Sequence, residues 1–121
     1  MEPSYRIVHQ GGKSFVDVTA LAAPLTTERD AADLVAVSWE CETSLLMLPH
    51  EAFADEFFRL RTGLAGAVLQ KFGNYGLTVA AVIPGWYERN DRFTELALES
   101  NKGRTFGVFD DRSAAEAWLL K

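Results

Sequence analysis

The chain is poor in the residues that carry most small-protein chemistry. It has one cysteine, Cys41, among 121 residues, so an internal disulfide framework is excluded. Its two histidines, His9 and His50, make no metal-ligand spacing with that cysteine, and no metal or cofactor is expected. No stretch approaches the ~18 uninterrupted apolar residues of a membrane span. The start, Met1-Glu2-Pro3-Ser4, has neither the basic nor the apolar region of a signal peptide. Positive charge is in the minority: 12 Lys and Arg against 17 Asp and Glu leave a net charge of −5. That balance argues against a broad nucleic-acid footprint, which needs a basic face. Repeats and low-complexity tracts are missing, as are a Gly-x-Ser-x-Gly elbow and a phosphate-binding P-loop. The expectation is a cytoplasmic protein with no nucleic-acid or membrane partner. His50 is the one candidate general base, without an evident partner, so no catalytic residue is assigned.

What is present fits an ordinary globular domain spanning residues 1–121. Apolar residues make up 48% and charged residues 24%. A chain of this length buries roughly two thirds of its unfolded surface, enough for a core. Tyr5–His9 and Ser14–Val18 read as a β-hairpin around the turn Gln10-Gly11-Gly12-Lys13, followed by a loop around Pro24. Thr27 is placed to cap a helix over Glu28–Glu40 with Ala31, Leu34, Val35 and Trp39 on its inner face. Cys41 reads as a partly buried residue at the core edge. Ser44–Leu48 is a short apolar strand ended by Pro49. Leu60, Leu64, Val68 and Phe72 recur every fourth residue as a buried stripe, with Thr62 as N-cap and Gly73 or Gly76 closing the helix. Leu77–Ile83 is a second buried strand before Pro84-Gly85. A helix over Asp91–Asn101 turns Phe93, Leu96 and Ala97 inward, and Thr105–Phe109 is a third strand. Ser113 and Glu116 read as a capping box for a last helix packing Ala115, Trp118 and Leu119. Asp110-Asp111 reads as a turn and cap. The order β-β-α-β-α-β-α-β-α predicts an α/β fold with about four helices and one mixed, mostly parallel sheet begun by the hairpin.

That topology sorts residues by sheet edge. Pro49, His50, Arg59, Arg61, Thr62, Gly63 and the loop from Pro84 to Asn90 gather at the carboxyl edge, where open α/β sheets usually take ligands. The helix start at Thr62 offers backbone N–H groups to an anion, and Arg59, Arg61, Arg89 or Arg92 add charge. The competing reading is a capped helix with solvated arginines, in which Gly63 and Gly66 allow close helix–sheet packing. Trp86 and Tyr87 either mark an interface or ligand lid or fold back over the core. The opposite edge collects Asn74, Tyr75 and Glu99 to Arg104. There Asn101 and Gly103 fit the C-terminus of the helix over Asp91–Asn101, Lys102 and Arg104 complement its negative end, Glu99 pairs with one of them, and Asn74 satisfies backbone groups of the adjoining turn, as a structural network.

The stretch from Phe57 to the C-terminus resembles the uncharacterised, mainly bacterial family known as domain of unknown function 4180. The motifs are Phe57-Phe58-Arg59-Leu60-Arg61-Thr62-Gly63-Leu64-Ala65-Gly66, then Gln70-Lys71-Phe72, then Asn74-Tyr75, then Glu99-Ser100-Asn101-Lys102-Gly103-Arg104. Ala67 stands where the family usually has Glu, and Pro84-Gly85-Trp86-Tyr87 replaces a more polar turn. The family brings no established activity. The element order and Thr62-Gly63-Leu64 also resemble the STAS domains of anti-sigma-factor antagonists. That resemblance implies a switch in which phosphate on the hydroxyl residue controls partner binding. Arg61 stands where those regulators carry Asp. The reading is a non-enzymatic binding or regulatory module that self-associates as a homodimer or takes a protein partner. It acts through Arg59, Arg61, Thr62, Gly63, Gly66, Trp86 and Tyr87. The alternative is a small anionic ligand at the same edge, with weak enzymatic activity. Gln70, Lys71, Asn74, Tyr75, Glu99, Ser100, Asn101, Lys102, Gly103 and Arg104 are expected to serve the fold.

Overall fold

A computed structural model describes residues 3–21 and 24–121. Ala22 and Ala23, in the loop expected around Pro24, lie outside the described residues, as do Met1 and Glu2 of the start. The strands are β1 (Ser4–Gln10), β2 (Lys13–Ala20), β3 (Leu45–Pro49), β4 (Thr78–Val82) and β5 (Phe106–Phe109). They form one five-stranded sheet in the order β1-β2-β3-β4-β5. The β1–β2 pairing is antiparallel and the other three are parallel. The hairpin turns on Gly11 and Gly12, both at positive φ (60° and 79°). Such a turn suits glycine at both central positions.

The helices are α1 (Ala31–Cys41), α2 (Asp55–Phe58), α3 (Leu64–Asn74), α4 (Asp91–Ser100) and α5 (Arg112–Leu119). Parallel crossovers that always step the same way put their helices on one face. Alternation along each strand records this. Val16 and Val18, Leu46 and Leu48, Val79 and Ala81, Phe106 and Val108 pack with Leu34, Val35, Val68, Phe72, Phe93 and Ala97 of α1, α3 and α4. The intervening Phe15, Met47 and Ala80 face α5 through Ala115, Trp118 and Leu119. The sheet is thus covered on both faces, by three long helices on one side and α5 on the other. Cys41 is half-buried against the larger core, as expected.

Several local expectations need correction. Trp39 is not on the inner face of α1 but 67% exposed, and Ser38 and Val37 are buried beside Leu34 and Val35 instead. The first turn after Thr27 is a 3-10 turn, Glu28–Asp30, ahead of α1. Thr62 does not cap α3. It ends a 3-10 turn, Leu60–Thr62, and Gly63 at φ 78° is the residue before the helix. A one-turn helix, α2, precedes that turn. Arg59 between them is extended (φ −94°, ψ 94°), and the stretch that reads as one helix from Leu60 is broken at Gly63. Leu60 accordingly is only half-buried, while Leu64, Val68 and Phe72 form the stripe. Gly76, at φ 68°, closes α3 with Leu77 N–H donating to Phe72 O at 2.9 Å. Asp111 caps α5 by accepting from Ala114 N–H at 2.8 Å, so the box expected from Ser113 is not the cap. Asp110 holds the turn before α4 by accepting from Gly85 N–H at 2.7 Å.

Candidate functional site

The carboxyl edge is built on aromatic packing. Phe57 of α2 packs at a tilt against Phe53 (ring centres 4.8 Å apart), and Phe58 meets Phe93 of α4 edge-on at 4.9 Å. These rings anchor the segment that carries Arg59 and Arg61. Asn90 then ties it to α4: its side chain accepts from Phe93 N–H at 2.7 Å and donates to Phe58 O at 3.0 Å. Phe58, Arg59, Leu60, Arg61, Asn90, Asp91 and Arg92 line one open cavity of about 450 Å³. Arg59, Arg61 and Arg92 make no ion pair among the described residues. Arg89 is spent differently, with its guanidinium 3.9 Å from the centre of the Phe58 ring.

The other residues expected at this edge do not join that lining. The Thr62 hydroxyl lies 2.9 Å from Glu56 O and 2.8 Å from Arg59 O, so its one proton is shared between two carbonyls. Gly63 N–H donates to Leu60 O and Leu64 N–H to Thr62 Oγ1, which leaves less of the α3 start open to an anion than the sequence implies. Gly63 is required by its positive φ. Gly66 is exposed, and a Cβ there would meet nothing within 4 Å, so close helix–sheet packing does not explain it. The aromatic pair divides between its two readings. Trp86 packs against the core, and Tyr87, 53% exposed, touches it edge-on at 5.6 Å. His50 does have a partner, Glu51 at 2.8 Å, on exposed surface, and it does not line the cavity.

At the amino edge the expected network is present in part. Asn101 pairs its amide with both backbone groups of Val108, donating to Val108 O at 3.1 Å and accepting from Val108 N–H at 2.7 Å. It thereby supplies a ladder partner to the free side of β5, the edge strand. Arg104 does not serve the end of α4 as expected: it donates to Trp118 O and Leu119 O at the end of α5, with its guanidinium 4.7 Å from the centre of the Trp118 ring. Glu99 and Lys102 pair at 3.3 Å, and Ser100 Oγ donates to Ala97 O. Gly103 needs no special backbone conformation. Gln70, Lys71, Asn74 and Tyr75 are different. With Glu28 and Ala67 they line an open cavity of about 590 Å³, and the turn Asn74 was expected to satisfy is closed by Gly76 instead.

The profile of the family described as a domain of unknown function (DUF4180) matches residues 10–119. The chain belongs to this family. No curated protein and no solved structure matches it.

The DUF4180 chain also holds a polar cluster that sequence reading missed. Asp17 of β2, 1% exposed, lies on the α5 side of the sheet. Arg112 grips it with two bonds, 3.1 Å to Oδ1 and 2.7 Å to Oδ2, and Arg6 adds one at 3.1 Å. Burial alone would raise the Asp17 pKa. The hydrogen bonds and charge of Arg112, then of Arg6, overturn that and hold it below the ordinary carboxylate value. One signal was in the sequence: a carboxylate inside the apolar run Phe15-Val16-Asp17-Val18 demands a partner. Which arginine answers it is a matter of tertiary placement.

Proposed function

We propose that this protein is a non-enzymatic binding module that takes a small anionic ligand at the carboxyl edge, in the cavity of Arg59, Arg61 and Arg92. The supporting observation is the convergence of these arginines, unpaired among the described residues, on one open cavity beside the start of α4. Guanidinium groups at a concave surface suit bidentate recognition of phosphate or carboxylate. Asp91 on the same lining favours a ligand that also offers a donor. A second reading, a regulatory protein partner docked over Tyr87 and the Thr62–Gly66 turn, rests on the 53% exposure of Tyr87. Self-association and a cytoplasmic setting accompany both readings.

Thermal melting against inorganic phosphate and a panel of phosphorylated and carboxylated metabolites tests the proposal. A ligand at a hundred times its Kd adds about 2.7 kcal/mol to stability. The expected result is a rise in Tm for wild type that is lost in the Arg59→Ala/Arg61→Ala double variant. That variant should melt close to wild type without ligand, since neither arginine makes an ion pair among the described residues. A panel without a single saturable shift refutes the ligand reading. Capture of a protein that is lost in Tyr87→Ala then favours the second.

A further inference from the structure

We propose that the amino edge carries a second, independent site, for an organic ammonium cation, formed by Trp39, Tyr75 and Glu42. Trp39 is 67% and Tyr75 47% exposed, large rings left outside the core on the adjoining ends of α1 and α3. They meet edge to face, with centres 5.9 Å apart and planes at 68°. Two rings set nearly at right angles form two walls, and an aromatic face attracts a cation. Tyr75 already does so within the chain, with Lys71 Nζ lying 5.8 Å from its ring centre. Beside the pair is an open cavity of about 330 Å³ with Ser38, Glu42, Thr43 and Ser44 in its lining. Lys71 belongs to the neighbouring cavity, and no basic residue lines this one.

The electrostatics carry the same sign. α1 and α3 both end here, so the negative poles of two helices converge. The last turn of α1 has no basic residue to offset its pole, whereas Lys71 in the last turn of α3 offsets the other, so the uncompensated pole is that of α1. Glu42 makes no ion pair among the described residues. Its backbone supplies a separate observation. Glu42, at φ 56°, is the one non-glycine residue with positive φ among the described residues, at a helix end where glycine is the relaxed choice. Glu42, which shares a cavity lining with Trp39 and Tyr75, is therefore kept at a position that costs backbone strain, as functional residues often are.

The test is an NMR titration of the ¹⁵N-labelled full chain with tetramethylammonium chloride. Sodium chloride and tert-butanol serve as controls for ionic strength and for a neutral group of similar shape. The expected result is saturable movement of the Trp39 indole N–H and the Glu42 and Tyr75 amides with tetramethylammonium only. Trp39→Ala should abolish it, and Glu42→Gln should weaken it roughly threefold. Glu42→Gly separates function from folding: it should raise Tm by relaxing the backbone while weakening the cation as much as Glu42→Gln does. A peptide bearing trimethyllysine identifies the source of the cation. Tighter binding than the free ion assigns it to a protein side chain, and equal binding to a small molecule. Linear, non-saturating shifts, an equal response to tert-butanol, or full affinity in Glu42→Gly would each overturn the proposal.

Discussion

At the scale of single residues, two glycines of similar appearance in the sequence have opposite roles. Gly66 sits exposed in the first turn of α3 with open space around its missing Cβ. Gly66→Ala should therefore stabilise the protein by about 0.5–1 kcal/mol through helix propensity alone, seen as a higher urea midpoint at unchanged slope. Gly107 faces α5. A Cβ there would stand 2.6 Å from Phe109 Cε2 and 3.2 Å from Trp118 Cδ2. Gly107→Ala should cost about 2 kcal/mol by forcing those rings apart, and the same urea titration measures it. Equal effects of the two substitutions would show that the packing on the α5 face is looser than this. Neither role is legible from the glycines themselves, because the distinction lies in what packs over them from another element.

At the scale of elements, the helix and strand order followed from periodicity, and what failed was the joints. Phe57 and Phe58 belong to a separate turn because Phe53, Phe93 and Phe106 close around them. That contact is absent from any local pattern. Trp39 shows the complementary failure: helical spacing placed an aromatic inward, but the side chain is left exposed and its ring meets Tyr75 edge to face. The docking of α5 depends on polar as well as apolar contacts. Arg112 at its first turn reaches across to Asp17 of β2, and Arg104 closes its far end. Arg112→Ala should destabilise by about 2 kcal/mol, less than the cost of a fully orphaned buried carboxylate because Arg6 still holds Oδ2. Chemical denaturation reads this directly. A loss no larger than that of an ordinary surface arginine would mean that water replaces Arg112 at no cost.

At the scale of the whole molecule, the sheet order has a functional consequence. The strands run β1 to β5 in sequence, so their direction of advance never reverses and no switch-point crevice opens between halves. The cavities lie instead on the rim and on the outer helices. Global stability should also carry the signature of Asp17. Its folded pKa is depressed, so its contribution is fully present above the unfolded value of about 3.9 and is lost as pH falls through the lower folded value. Asp30 is shifted in the same direction, chiefly by the backbone N–H of Thr26, partly offset by burial, and then by that of Thr27. Urea midpoints measured down from pH 6 should hold until about pH 4 and then fall. Much of that fall should be missing in Asp17→Asn, which starts lower. A wild-type profile parallel to that of Asp17→Asn would remove Asp17 from the account of acid stability.

By itself, the sequence determined the class of fold and the family. Apolar spacing is a local property, and it reports which face of each strand or helix must leave water. It also determined which residues stand at which edge of the parallel part of the sheet, since each helix there starts at the carboxyl edge of one strand and ends at the amino edge of the next. Only the tertiary structure decided which of those residues meet. It brought Arg59 and Arg61 to Arg92, kept Thr62 and Gly66 out of that cavity, and set Trp39 against Tyr75 beside Glu42. Such meetings depend on contacts between distant segments. The energy that makes them comes from burial shared among several elements, which no single stretch of sequence displays.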